Sequence, residues 1–147
     1  MVDRFARFSF AIFEISRNWH RLTADEMEKY GLKGPYAMYL VVMQRYPEGV
    51  TAAQLSELCS RDKADVSRAI AVMEEKGLVC REGGYRAPLQ LTDAGKEAAA
   101  HVCQRVEIAV ECAGKDLSDE HREIFYAALE SIAANLQTLS KEGIPQG

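Results

Sequence analysis

The chain has 147 residues, of which 48% are hydrophobic and 27% charged, and its formal net charge is −4. A domain of this length buries roughly 70% of the surface that its unfolded chain exposes, and this composition excludes a disordered, collagen-like or low-complexity protein.

The longest apolar run, Ala37 to Met43, is much shorter than the roughly 20 residues of a membrane span, so no membrane partner is expected. Charged residues, among them Arg4 and Glu14, interrupt the apolar N-terminus and argue against a signal peptide. Four cysteines without paired short spacing favour a reduced, cytoplasmic protein.

The negative charge is concentrated in the last third of the chain. Residues 1–50 hold seven Lys or Arg against six Asp or Glu, residues 51–96 hold seven against seven, and residues 97–147 hold four against nine. Net charge therefore neither excludes nor supports a nucleic-acid partner, because the first two thirds remain free to present a basic face.

The N-terminal segment predicts a long helix with one apolar stripe, since its apolar residues recur at steps of three and four. They are Phe5, Phe8, Ile12, Ile15, Trp19 and Leu22. Gly31 predicts the end of this helix. The run from Tyr36 to Tyr46 is apolar almost all round and predicts a buried central helix.

The middle of the chain predicts two short helices joined by a turn. Thr51 is a good N-cap for a helix from Ala52 to Cys59, with Leu55 and Leu58 facing inward. Asp62 is a good N-cap for a second helix, which runs to about Lys76. Its buried stripe is predicted to be Val66, Ile70 and Met73.

Two strands follow, Leu78 to Arg81 and Pro88 to Leu91, on either side of Gly83-Gly84. Thr92 then caps a long helix, and a break near Ser118 precedes a last helix. That last helix has a second apolar stripe formed by Phe125, Leu129, Ile132, Leu136 and Leu139. The order predicts a mainly α protein with a small β-hairpin wing, which is a winged helix-turn-helix plus helical regions that pack against each other and against a second copy.

Three separated segments resemble the multiple antibiotic resistance regulator (MarR) family. They are Asp62-Lys63-Ala64-Asp65-Val66-Ser67-Arg68, Met73-Glu74-Glu75-Lys76-Gly77-Leu78-Val79-Cys80-Arg81 and Leu91-Thr92-Asp93-Ala94-Gly95. The resemblance implies a bacterial, homodimeric transcriptional regulator, expected to be a repressor, that binds a pseudo-palindromic operator with affinity tuned by a small molecule. It divides the chain into a dimerisation helix (1–31), a winged-helix lobe (32–95) and C-terminal dimerisation helices (96–147), intertwined as one domain.

The predicted partner is double-stranded DNA, contacted mainly by the second helix of the pair. If its apolar stripe faces the core, the opposite face offers Ser67 and Arg68 to base edges and Lys63 to phosphate. Arg86 is the counterpart of the arginine that the family inserts into the minor groove, although this wing is shorter and carries no Asp. The predicted DNA-contacting residues are Thr51, Arg61, Lys63, Ala64, Ser67, Arg68 and Arg86.

The resemblance also implies a ligand site near the first two helices, for a small aromatic or phenolic anion. Its candidate residues are Trp19, His20, Tyr36, Tyr39 and Met43, and ordinary core packing explains them about equally well.

Other classes of function have weaker support. No catalytic or phosphate-binding motif appears, so no enzyme activity and no cofactor are predicted. His101 and Cys103 are two residues apart on a helix and so face different ways, which argues against a metal site. Two alternatives stay open: a winged helix used only for protein contacts, and a redox-sensing regulator, although the first helix has no cysteine.

Overall fold

The computed structural model describes residues 2–84 and 86–147. In these residues the chain forms six helices and one hairpin, which confirms the predicted winged helix-turn-helix fold class. The elements are α1 (Val2–Glu28), α2 (Tyr36–Arg45), α3 (Ala52–Leu58), α4 (Lys63–Glu75), β1 (Val79–Arg81), β2 (Leu89–Leu91), α5 (Asp93–Ala113) and α6 (Asp119–Glu142). None of these helices is long and apolar enough to cross a membrane.

The chain divides into two compact units, Met1–Glu107 and Ile108–Gly147. The first unit contains the core, whose fully buried side chains come from the helices α1 to α5, the hairpin and the segment just before α3. The largest of them are Met27, Leu40, Leu55, Met73, Leu89, Val50, Val66 and Val102.

Two predictions about burial are wrong. Leu58 was expected to face inward with Leu55, but it is 49% exposed, because the buried side of this segment is shared by Leu55 and Cys59, which are four residues apart. The central helix α2 is not buried all round, since Met38 is 47% exposed while Tyr39, Leu40 and Met43 lie in the core. Although α2 is apolar almost all round, one side of the helix is exposed in the single chain.

The predicted stripe of α1 is largely exposed in the single chain. Phe5 is 71% exposed and Ile15 57%, and Met27 is the residue of α1 that is fully buried. Phe10 and Phe13 are also exposed, and helical periodicity places them on the side opposite the stripe. The helix ends at Glu28, and Gly31 then takes the positive φ of 66° that favours glycine.

The C-terminal end of α1 is tied to α5 by a cluster of charges. The Glu26 carboxylate accepts hydrogen bonds from Lys29 Nζ at 2.8 Å and from Arg105 Nε at 2.9 Å. His101 Nε2 lies 3.7 Å from the same carboxylate, and its ring meets that of Tyr30 edge-on. The hydrogen bonds from Lys29 and Arg105 lower the pKa of Glu26 below its ordinary value.

The hairpin is held on the helix-turn-helix by backbone pairing. Strands β1 and β2 are antiparallel, with Cys80 opposite Gln90, and Val50 just before α3 exchanges two backbone hydrogen bonds with Leu89 at 3.0 and 2.8 Å. The start of α3 and the wing are therefore fixed to each other.

Helix α5 begins against the end of α4. The Thr92 hydroxyl donates to the carbonyl of Gly77 at 2.6 Å and accepts from Gly95 N at 3.0 Å, and Thr92 N donates to Leu78 O at 3.0 Å. A Cβ atom on Gly95 would lie only 1.9 Å from Leu78 O, so the close approach of α5 to this backbone requires glycine.

The second unit contains the end of α5 and α6. Ser118 caps α6 by accepting from His121 N at 3.2 Å, as the predicted break implies. Arg122 donates to Gly114 O and pairs with Glu111 at 2.8 Å. No side chain of α6 is buried, and Leu136 in its predicted stripe is 48% exposed.

Candidate nucleic-acid interface

Local capping builds the helix-turn-helix as predicted. Thr51 Oγ1 accepts from Gln54 N at 3.1 Å while Gln54 Oε1 accepts from Thr51 N at 2.8 Å, which is a complete capping box. Asp62 Oδ1 accepts from Asp65 N at 2.8 Å at the start of α4. Both side chains satisfy amides that would otherwise lack a partner, so the starts of α3 and α4 are defined by their own sequences.

Helix α4 buries one face and presents the other. Val66, Ile70 and Met73 are buried, as predicted, together with Ala69. The opposite face is exposed and consists of Lys63, Ala64, Ser67, Arg68 and Ala71. Two of its five side chains are methyl groups, so this face lets the helix backbone come close to a partner surface.

Three separate segments meet at a surface cavity of about 380 Å³ in front of α4. The cavity brings together four of the predicted DNA-contacting residues: Thr51 from the start of α3, Lys63 and Ser67 from α4, and Arg86 from the wing. Ala52, Ala53 and Val66 complete its lining. Ala52 and Ala53 were not predicted as site residues. The available signal was their position directly after the N-cap Thr51, because side chains in the first turn tilt toward the helix N-terminus.

The remaining predicted residues lie around this cavity. Ala64 and Arg68 lie on the exposed face of α4, outside the cavity lining. Arg61 is half-buried in the turn, where Ser56 Oγ donates to its carbonyl at 2.5 Å and its own N–H donates to Ser56 O at 3.1 Å. Its guanidinium opposes the effect of burial on Tyr39 and Cys59, since its positive charge favours the ionised form of both and burial raises the pKa of each.

The wing presents Arg86 at the surface. Gly83 takes a φ of 119°, and Ala87 N donates to Gly84 O at 2.9 Å, so the tip turns tightly as the Gly83-Gly84 pair predicts. Tyr85, the neighbour of Arg86 in the predicted tip, lies outside the described residues.

An ion pair braces the base of the wing against α4. Arg81 on β1 donates to Glu74 Oε1 through Nη2 at 2.7 Å and through Nε at 3.3 Å. These two side chains line a second cavity of about 370 Å³ with Ser67 and Ala71 among its other residues. The ion pair between Arg81 and Glu74 was not predicted, because two residues seven apart on different elements give no periodic pattern in the sequence.

The predicted ligand residues differ in their exposure. Tyr39 and Met43 are each 2% exposed and belong to the core, and the Tyr36 and Tyr39 rings lie 6.0 Å apart. Trp19 is half-buried and His20 exposed on α1. Met43 does reach one cavity, of about 350 Å³, with Gln44, Pro47, Gln90, Leu91 and Lys96. The ligand site stays a prediction.

The four cysteines are free thiols in different surroundings. Cys59 is buried, and burial raises its pKa. Cys103 is half-buried and donates to Gln44 Oε1 at 2.7 Å, and burial followed by the nearby Glu107 charge raises its pKa. Raised pKa values disfavour the reactive thiolate, so neither thiol has the character of an oxidant sensor. Cys80 and Cys112 are exposed. Among residues 2–84 and 86–147, no three His, Cys, Asp or Glu side chains form a group that could hold a metal ion.

Comparison with known proteins bears on the predicted family resemblance. A sequence model of the MarR family matches residues 30–85, and no curated protein matches the chain. Among solved structures, a MarR transcriptional regulator from Methanosarcina mazei Go1 is similar with a TM-score of 0.78 and 22% identity, over 91% of this chain and 92% of that one. A putative MarR family transcriptional regulator from Listeria monocytogenes, solved in complex with 26mer DNA, has a TM-score of 0.79 and 20% identity over 93% and 95%. An uncharacterised SlyA-like transcription regulator from the same species has a TM-score of 0.79 and 20% identity over 95% and 97%. The predicted resemblance is thus confirmed: residues 30–85 match the MarR family model, and the chain has the fold of MarR-family transcriptional regulators.

Proposed function

We propose that this protein is a transcriptional regulator that binds double-stranded DNA, with α4 in the major groove and the wing beside it. One observation carries the proposal: Thr51, Lys63, Ser67 and Arg86, from three separate segments, line a single surface cavity beside the exposed face of α4. A helix with small and polar side chains on its outer face fits the major groove, and cations on either side of it suit the two phosphate backbones. The similar Listeria regulator was solved in complex with DNA, which supports DNA as the partner.

The residues divide into those that read bases and those that bind phosphate. Ser67 and Arg68 on the outer face of α4 are assigned to base edges. Thr51, Arg61 and Lys63 near the two helix starts are assigned to phosphates. Ala64 allows close approach to the groove floor, and Arg86 is assigned to the minor groove.

A mobility shift on DNA from the protein's own promoter region tests this function. The wild type is expected to give a specific shift, and Arg68→Ala to weaken binding by about 1–3 kcal/mol and relax the sequence preference. Arg45→Ala is the matched control, because it removes an exposed arginine from α2 instead of α4. The absence of a specific shift by the wild type at low and moderate salt would refute DNA binding and favour a winged helix used for protein contacts.

The proposed active species is a homodimer in which the apolar stripes of α1 and α6 are buried by a second copy. Phe5, Ile15 and Leu136 are each about half exposed or more in the single chain, and exposed apolar surface of this extent marks an interaction site. A two-fold dimer would present two copies of α4 to the two halves of a pseudo-palindromic operator.

Sedimentation of Leu136→Asp against the wild type tests the dimer. The aspartate would place an unpaired charge in the interface, at a cost of several kcal/mol, and is expected to give a monomer at micromolar concentration. Lys115→Asp, a charge change at an exposed site outside both stripes, is the control. A wild-type protein that sediments as a 16.4 kDa monomer would refute the proposal.

We further propose that the regulator acts in the cytoplasm as a repressor, with DNA affinity tuned by a small aromatic or phenolic anion. This part rests on the family resemblance and on the aromatic residues of α1 and α2. A reporter gene fused to the protein's own promoter tests repression: deletion of the protein is expected to raise expression of the reporter. Salicylate added to the mobility shift is expected to weaken the wild-type complex, and an unchanged complex at millimolar salicylate would refute this class of effector.

A further inference from the structure

Arg68 on the outer face of α4 is paired with Asp65, which is half-buried at the edge of that face. Arg68 Nη2 donates to Asp65 Oδ1, and the two residues are three apart, so their side chains are neighbours on the helix. The side chain of Arg68 is 66% exposed and that of Asp65 is 40% exposed. Both therefore lie where the proposed function places DNA.

Asp65 is an acidic residue in the first turn of α4, which suits the positive end of the helix, but it is not the N-cap. The cap of α4 is Asp62, which accepts the hydrogen bond from the backbone of Asp65. Within the described residues, the Asp65 carboxylate has one ion-pair partner, which is Arg68, and its charge also acts on Tyr39. An exposed ion pair of this kind adds little to stability, and a carboxylate facing phosphates opposes binding. The first-turn position accounts for an acidic residue here but not for its pairing with Arg68, whose effect would be felt in the complex with DNA.

The ion pair makes the two cationic side chains of α4, Lys63 and Arg68, suited to different DNA groups. Lys63 has no ion pair in the described part of the chain, so its full charge is free for phosphate. The charge of Arg68 is partly neutralised by Asp65, which makes it a weaker phosphate ligand. Its planar guanidinium has five donors, of which the carboxylate occupies one, so a second edge remains for the two acceptors of guanine, O6 and N7. Pairing also restricts the rotamers of a long side chain before DNA arrives, which lowers the entropy lost on binding.

We propose that Asp65 is a positioning residue for sequence recognition, which orients Arg68 toward guanine and reduces its attraction to phosphate. This inference rests on the proposed DNA binding and deepens it: Asp65 exchanges non-specific affinity for discrimination at one base pair. Removal of the carboxylate is therefore expected to raise the affinity for unrelated DNA and to lower the affinity for a site that carries the recognised guanine.

The test begins with selection of binding sites from random-sequence duplex DNA by the wild type and by Arg68→Ala. The base pair at which Arg68→Ala loses its preference for guanine is the one that Arg68 reads. Asp65→Ala and the near-isosteric Asp65→Asn are then titrated on the selected site, on the site with that guanine replaced, and on unrelated DNA, at several salt concentrations. Thermal melts check that each variant is folded.

Asp65→Ala is expected to bind unrelated DNA more tightly and to lose about tenfold in discrimination for that guanine. Asp65→Asn keeps an oxygen acceptor without the charge, and its discrimination for guanine is expected to fall between that of the wild type and that of Asp65→Ala. In the Arg68→Ala background, Asp65→Ala is expected to leave base preference unchanged. Glu75→Ala removes the same charge from the same helix about 15 Å away, beyond the screening length at 0.1 M salt, and is expected to leave discrimination intact.

Two results would overturn the inference. Equal gains for Asp65→Ala on all three DNAs would mean that the carboxylate only repels phosphate. Unchanged affinity on all three would mean that the pair plays no part in the complex. Selection of no sequence by the wild type would instead overturn the proposed function itself, so the two failures are distinguishable.

Discussion

Substitution of Gly95 by alanine tests how closely α5 approaches the winged helix. Alanine is the better helix former by about 1 kcal/mol, so at an open helical site the substitution would stabilise the protein. Here the new Cβ would lie 1.9 Å from Leu78 O and 2.9 Å from Leu78 C. Real Cβ atoms keep about 3 Å from such atoms, so α5 would have to move by about 1 Å.

The cost of that movement follows from what it disturbs. Overpacking of this size costs about 1–3 kcal/mol. The shift would also stretch the hydrogen bonds of Thr92 to Leu78 O and Gly77 O, each with a net contribution of about 1 kcal/mol. After the helix gain is subtracted, Gly95→Ala is expected to destabilise the protein by about 2–4 kcal/mol.

Chemical denaturation followed by circular dichroism measures this change, and a thermal melt should show a fall of about 2–4 °C for each kcal/mol. Gly114→Ala is the matched control, because its Cβ would meet Arg122 Nε at an ordinary 3.4 Å. It is expected to leave stability unchanged or slightly raised. A stabilising Gly95→Ala would refute the close approach and the account of why glycine follows Thr92 by three residues.

Three further predictions concern charged groups. Lys63→Ala is expected to weaken binding to all DNA sequences alike and to reduce the salt dependence by about one phosphate contact, in titrations at several salt concentrations; an altered sequence preference with an unchanged salt slope would contradict its phosphate role. Arg86→Ala is expected to lose more affinity for sites with A·T flanks than with G·C flanks, since narrow A·T minor grooves concentrate negative potential; equal losses on both flanks would restrict Arg86 to phosphate. Glu26→Gln is expected to lower the free energy of unfolding at pH 7 by up to about 1 kcal/mol. The pKa of Glu26 is lowered on folding, so its stabilisation is present above the ordinary value of 4.5 and disappears as pH falls through the folded pKa. In denaturation curves, the two proteins should converge at acid pH, and a constant difference would contradict the assigned ion pairs.

The parts of this protein that depend on neighbours in sequence were predictable. Thr51 and Asp62 cap their helices through hydrogen bonds to amides three residues on, so the residue types alone indicated both helix starts. The buried face of α4 followed from the spacing of Val66, Ile70 and Met73, because helical period sets which side chains share a face. The order of these elements was enough for the fold class.

The tertiary structure decided what depends on distant contacts. Leu58 looks like a core residue by type, but Leu55 and Cys59 occupy the buried side of its helix. Arg86 and Lys63 line one cavity because whole elements pack, with Val50 paired to Leu89, and the Glu26 cluster depends on contacts across 79 residues of chain. Such contacts carry no periodic signal, since they arise when whole elements pack. The sequence by itself thus determined the helix caps and the buried face of α4, because these depend on neighbouring residues. The candidate DNA site depends on contacts between distant segments, so only the tertiary structure decided it.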